Sequence, residues 1–326
     1  MMIDNIIERL RKKVVDDLFS TSSFGNCWSV WGPAIQNLVG ANPTPQSILD
    51  LGDNLRGIFQ TTGSTGRDQS ELSGGGAAWE SLITWYVNLC CVNTRVVAVK
   101  KMGQVPTPIK DAITVNYANF SCTTESDITV IVFPDSPVYT QPNPSLLKRN
   151  GSIDNNALSA AVATDFFNFE VGIIQCKTNW NDNAQIPMLW DMIYSAGGFR
   201  GRQISVGHNN YSIQALGPGF TYSFVTVPSV RLSNFTPTSL CVKRVYNLSG
   251  GNYWGLPTRN GVARSVKEIF QNYINGYEHR NIMITLNKTL SKILCKWKQD
   301  SVVSLFLYMN SVFKHKHKLI HNQAPV

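Results

Sequence analysis

Asp127 stands directly before the apolar run Ile128–Phe133, and Gln175 and Lys177 stand two apart at the end of a second run, Phe169–Lys177. Residues two apart on a strand project to the same face. An acid, an amide and a lysine brought together at neighbouring strand ends could cut a phosphodiester. That reaction needs an activated water, a metal ion to neutralise developing charge, and help for the leaving oxygen. Mg²⁺ prefers oxygen ligands and is held by one or two carboxylates plus water and substrate phosphate. A lysine beside it can position the nucleophile and stabilise charge on phosphorus. Glu80, in a helical pattern upstream, is a third oxygen donor, read as lying in that helix's first turn.

Those groups meet only if strands and a helix carry them to one place. Ile128–Phe133 is β-branched and apolar throughout, the pattern of a strand buried on both faces. Phe169–Lys177 alternates Val171, Ile173, Gln175 and Lys177 with Gly172, Ile174 and Cys176, and Val96–Lys100 is a shorter strand candidate. Trp79, Leu82, Ile83, Tyr86, Val87 and Cys90 recur at i, i+3, i+4, i+7, i+8 and i+11, one apolar helix face. Residues 3–19 form another amphipathic pattern, and 28–60 one or two helices broken at Asn42-Pro43-Thr44-Pro45. Thr61–Gly76 and the Pro-rich Pro134–Asn156 read as loops. Helices are expected at Leu158–Phe167, Ala184–Ser195 and Val262–Tyr277, and strands at Gln203–Val206, Phe220–Val227 and Ser239–Tyr246. Helices interleaved with strands make the chain α/β, a central mixed β-sheet flanked by helices.

The order acid, long gap, x-x-K on a strand and then a helix resembles the PD-(D/E)XK nuclease superfamily, and within it the type II restriction endonucleases. Ser126-Asp127 matches the first element and Gln175-Cys176-Lys177 the second, in an S-D…Q-x-K form; the resemblance covers roughly residues 74–197. It implies a restriction-endonuclease-like core and Mg²⁺-dependent hydrolysis of double-stranded DNA at a short specific sequence, by a homodimer. It implies Asp127, Gln175, Lys177 and Glu80 as catalytic residues, with Asp127, Gln175 and Glu80 as metal ligands. The family's second acid is here the neutral Gln175, which places more of the metal binding on Asp127 and Glu80. Two rivals exist: Pro134-Asp135 spells the family's dipeptide after the strand, and Glu170 is an acid on the second strand's opposite face. Another nuclease of the superfamily, or a DNA-binding protein without cleavage, are the alternatives.

Other chemistries lack their residues. The chain has no phosphate-binding P-loop, H-E-x-x-H or G-x-S-x-G, and three of its five histidines fall after residue 280. Seven cysteines, none in a C-x-x-C pair, give neither a disulfide framework nor a zinc site. The net charge of +8 is uneven: residues 281–326 hold seven lysines and one acid, leaving 22 basic and 20 acidic residues elsewhere. Charge therefore says little about DNA binding. Lys314–Lys318 reads as a solvated tail. If sequence is read, arginine and asparagine are the residue types that contact guanine and adenine edges, and 198–262 is rich in them. Asn179, Asn181, Arg200, Arg202, Lys243, Arg244 and Arg259 are candidate DNA contacts, with Ser249–Gly255 as a recognition loop or a turn.

Three regions are expected: an N-terminal helical region (1–73), a catalytic core (74–280) with recognition elements in about 198–262, and a basic tail (281–326). No run approaches the roughly 18 apolar residues of a membrane span, and the charged start does not read as a signal peptide. A cytoplasmic bacterial protein is the expectation.

Overall fold

The apolar β-branched runs become the middle of a six-stranded sheet. The computed structural model describes residues 4–62, 69–123, 126–180, 204–217, 219–228, 231–273 and 277–296. The strands are β1 (Val96–Val99), β2 (Val115–Tyr117), β3 (Phe120–Cys122), β4 (Ile128–Val132), β5 (Glu170–Lys177), β6 (Ile204–Val206), β7 (Gly219–Thr226), β8 (Gly251–Trp254) and β9 (Arg264–Ser265). The main sheet runs β1-β4-β5-β7-β8-β9, antiparallel from β1 to β5 and parallel from β5 to β9. Strands β3-β2-β6 form a small antiparallel sheet beside it.

Eleven helices are described: α1 (Ile6–Phe19), α2 (Ser22–Val39), α3 (Pro45–Leu49), α4 (Leu55–Gln60), α5 (Gln69–Cys90), α6 (Thr107–Ala112), α7 (Pro137–Thr140), α8 (Asn155–Asp165), α9 (Leu240–Tyr246), α10 (Ile269–Tyr273) and α11 (Tyr277–Lys296). They cover both faces of the sheet. On one, Ile128, Val130, Ile174, Cys176 and Val225 pack with Trp31, Trp79, Trp85, Tyr86 and Phe270. On the other, Val97, Ile131, Val171, Ile173 and Phe224 pack with Ile109, Leu158, Val162, Val242 and Val245. The fold is therefore α/β with a mixed central sheet between helical layers. A strand apolar on both faces has to be interior, and β4 and β5 are.

Helix α1 enters both layers, and a buried ion pair fixes it. Arg11 Nη2 lies 2.9 Å from Glu8 Oε1, with the two side chains 2% and 5% exposed. The remaining donors of Arg11 reach Val96 O at 2.6 Å and Thr94 O at 3.1 Å, and Glu8 accepts the Asn93 N–H at 2.9 Å. Both charges of the pair are thus hydrogen-bonded as well as paired, the condition under which a buried pair is tolerated. It docks α1 on the entry to β1.

Several sequence expectations are corrected. Helix α5 begins at Gln69, inside the stretch read as a loop, so Glu80 lies in the middle of a 22-residue helix and gains nothing from its terminus. Ser239–Tyr246 is no strand: Leu240–Tyr246 is α9, burying Val242 and Val245 at i, i+3 spacing. Val262–Tyr277 is not one helix, because Arg264–Ser265 joins β8 as an edge strand, and a 3-10 turn at Val266–Glu268 precedes the short α-helix Ile269–Tyr273. Ser249–Gly255 is not an exposed recognition loop. It holds the buried β8, and a Cβ on Gly255 would meet the Arg56 backbone nitrogen at 2.6 Å. The Pro-rich segment contains α7 and a 3-10 turn at Pro144–Leu146. The stretch expected as a basic tail, 281–326, starts inside α11, which buries Ile282, Leu286 and Leu290 in the core. Among the described residues, no helix is long and apolar enough to cross a membrane. The expected helix at Ala184–Ser195, Lys314–Lys318, and the candidates Asn181, Arg200 and Arg202 lie outside the described residues.

Candidate active site

Strand register assembles the site. Ile128 pairs with Ile174 in the antiparallel β4–β5 ladder, which carries Asp127 level with Gln175 at the end where β5 reaches Lys177. Val99 pairs with Thr129, which carries Lys100 level with Ile128, next to Asp127. The same register sends the rivals away. Val132 pairs with Glu170 at the far end of the ladder, and Asp135 lies beyond it, exposed.

Asp127 is fixed by the neighbouring strand. Its Oδ2 accepts the Cys176 backbone N–H at 2.7 Å and lies 3.8 Å from Lys177 Nζ. Asp127 and Lys177 side chains are only 18% and 16% exposed, so water screens their attraction weakly. Burial raises the Asp127 carboxyl to about 6. Lys177 opposes that rise, the Glu80 carboxylate adds to it, and the Cys176 N–H and Lys100 oppose it. A buried carboxyl beside a second carboxylate is a group that a cation would stabilise.

Glu80 approaches from α5. Its Oε2 lies 3.1 Å from Lys100 Nζ, which also donates to Ala77 O at 2.7 Å and Ser81 Oγ at 3.0 Å. Two carboxylates and two ammonium groups therefore sit at one corner of the sheet. Lys100 was not identified from the sequence. Nothing local marks it, because its neighbourhood follows from the β1–β4 register and a helix 20 residues upstream.

Gln175 is 2% exposed, and its Oε1 accepts the Tyr222 hydroxyl at 3.3 Å. It thus lies level with Asp127 while its amide is engaged on the inner side. Cys176 is the other buried polar neighbour. Burial, with Asp127 and Glu80 nearby, pushes its thiol well above the usual range, so it is a packing group and not a nucleophile. Beyond Lys177, Trp180 anchors the outgoing chain, stacked 6.4 Å from Trp254 and edge-on to Phe235. The Asn179 side-chain Oδ1 accepts the Trp180 backbone N–H at 2.9 Å.

A metal ion at this corner would find oxygen donors of the required kind. Among the described residues, the second oxygen of Asp127 and the second oxygen of Glu80 take no hydrogen bond. Among the described residues, no group of three or more His, Cys, Asp or Glu is placed to hold a metal ion by itself. The donor set is therefore two carboxylates and the Gln175 amide. It suits a hard cation that keeps several waters.

Of the candidate DNA contacts, Lys243 and Arg259 are exposed, and Arg244 is partly buried on α9. Arg259 donates to Leu232 O at 3.1 Å. With Arg264, Asn252 and Asn260 it lines a cleft of about 750 Å³ at the β9 edge of the sheet. Arg264 is level with Cys176 through the parallel strands, at three strand spacings, roughly 14 Å. No family model matches the chain, and neither a curated protein nor a solved structure is similar to it.

Proposed function

We propose that the chain is a Mg²⁺-dependent endonuclease acting on double-stranded DNA at a short specific sequence, as type II restriction enzymes do. The supporting observation is the corner at which Asp127, Lys177 and Glu80 meet, built from β4, β5 and α5. A bound divalent cation supplies Lewis-acid stabilisation of phosphate charge and an acidified water. The chain's residues do the rest. Asp127, and Glu80 from α5, would hold the cation with their carboxylate oxygens. Gln175 adds a neutral oxygen donor if its amide turns from Tyr222. Lys177 orients the attacking water and stabilises the charge that builds on the phosphate oxygens. Recognition falls to the arginine- and asparagine-lined cleft at the β9 edge, roughly 14 Å across the sheet from the corner. Homodimeric action on a palindrome is part of this reading.

One observation favours a second reading. Gln175, where the superfamily keeps an acid, is neutral, buried and tied to Tyr222. That suits a DNA-binding protein that does not cut.

Incubating the purified protein with plasmid and Mg²⁺, then sequencing the ends, decides among them. Discrete fragments sharing one short sequence support the restriction reading. Structure-dependent or random nicks support another nuclease of the superfamily. Binding without cleavage in Mg²⁺ and in Mn²⁺ defeats both enzyme readings.

A further inference from the structure

Lys100 donates hydrogen bonds to Ala77 O and Ser81 Oγ at 2.7 and 3.0 Å, and makes a third contact, an ion pair with Glu80 Oε2 at 3.1 Å. Ala77 and Ser81 lie on the turn of α5 from which Glu80 projects. Two contacts to that turn pin the ammonium, and the third aims the Glu80 carboxylate. Its exposure of 21% leaves the charge poorly screened. A simple staple between α5 and β1 would need only the Ala77 and Ser81 contacts. The third contact puts the positive charge on a carboxylate that faces Asp127.

We propose that Lys100 is a positioning residue that serves as a built-in counter-ion for Glu80, occupying the place a divalent cation would take. The inference rests on the nuclease reading and deepens it. In the resting site two carboxylates face two ammonium groups, and the corner is neutral. The free protein therefore binds a divalent cation weakly. Glu80 exchanges partners when a cation enters, while Lys100 stays on Ala77 and Ser81. Arriving phosphate, with its negative charge, completes the site. This couples tight metal binding to the presence of DNA.

The test uses the full chain without DNA, titrated with Mn²⁺ alone and read by electron paramagnetic resonance of the free ion. Lys100→Met is expected to bind Mn²⁺ at least about tenfold more tightly than wild type, and adding Glu80→Gln to that variant removes the gain. Should Lys100→Met fold poorly, Lys100→Gln keeps polar contacts to Ala77 and Ser81 without the charge and is expected to shift affinity the same way. Equal or weaker binding in the folded variant overturns the counter-ion role. If Asp127→Asn meanwhile abolishes wild-type Mn²⁺ binding, the nuclease reading survives that failure. Mn²⁺ binding unaffected by Asp127→Asn overturns the nuclease reading and this inference with it.

Discussion

The carboxylate of Asp127 accepts the backbone N–H of Cys176 at 2.7 Å. The acid of one strand is thus tied to the main chain of the strand that carries Lys177. Their separation is set by backbone geometry and not by two flexible side chains finding each other. Asp127→Ala and Lys177→Ala are expected to reduce DNA cleavage at least about a hundredfold, with DNA binding in Ca²⁺ largely retained. Asp135→Ala, at the other end of β4, is expected to stay within a few-fold of wild type. Gel assays of cleavage and binding on the same preparations check this, and full activity of either site variant sinks the assignment.

Asp127 also gives the protein a pH signature. Its folded pKa, about 6, lies above the usual carboxylate range. The folded state therefore holds this proton more tightly than the unfolded chain does. Its contribution to stability declines as pH rises from about 4 to about 6 and is level above that. Asp127→Asn mimics the protonated group, so it is expected to raise the unfolding free energy at pH 7.5 by up to about 3 kcal/mol. The gain shrinks towards zero near pH 4. Urea titrations at several pH values measure it; a gain independent of pH contradicts the cause given. Protons also compete for the same oxygens, so Mn²⁺ affinity is expected to fall as pH drops through about 6.

Gln175→Glu puts an acid where the nucleases that the chain is proposed to resemble keep one, at a position 2% exposed and level with Asp127. A third carboxylate at this corner, buried and with only the Tyr222 hydroxyl to donate to it, is costly, by roughly 2–4 kcal/mol. The variant is expected to melt several degrees below wild type in chelator and to recover most of the loss in millimolar Mg²⁺. Scanning calorimetry with and without Mg²⁺ reads both. An equal loss in the two conditions argues against a cation at this corner.

The pair Glu8–Arg11 offers a prediction about the scaffold. Removing one partner leaves a buried charge stranded, so Arg11→Met is expected to cost about 3–5 kcal/mol. Chemical denaturation checks it through the midpoint at unchanged slope. A loss under 1 kcal/mol would mean that water reaches Glu8.

What the sequence made legible was local. Strands β4 and β5 announced themselves because an interior strand is apolar on both faces, and α5 through its 3.6-residue apolar stripe. The acid and the lysine followed, since both sit on those strands. What stayed hidden depends on partners far along the chain. Leu240–Tyr246 contains apolar residues at strand-like as well as helical spacing, and burial of Val242 with Val245 decides for the helix. Arg264–Ser265 becomes a strand only because β8 offers an edge. Lys100 needed the register of two strands and the pitch of a helix. Ile282, Leu286 and Leu290 did follow a helical period, masked by the lysines around them.

Those three residues have a consequence for how the molecule is made. They share a core cluster with Trp85 and Tyr86 of α5, and the Asn93 amide donates to Thr289 Oγ1 at 2.9 Å. A ribosome that has just released Lys177 has delivered both lysines and both carboxylates. The wedge that closes the layer behind α5 emerges more than a hundred residues later. The half-synthesised chain thus carries every reactive group on an unfinished foundation. Whatever the corner does to its substrate, it begins only after α11 has seated, a delay written into the order of translation.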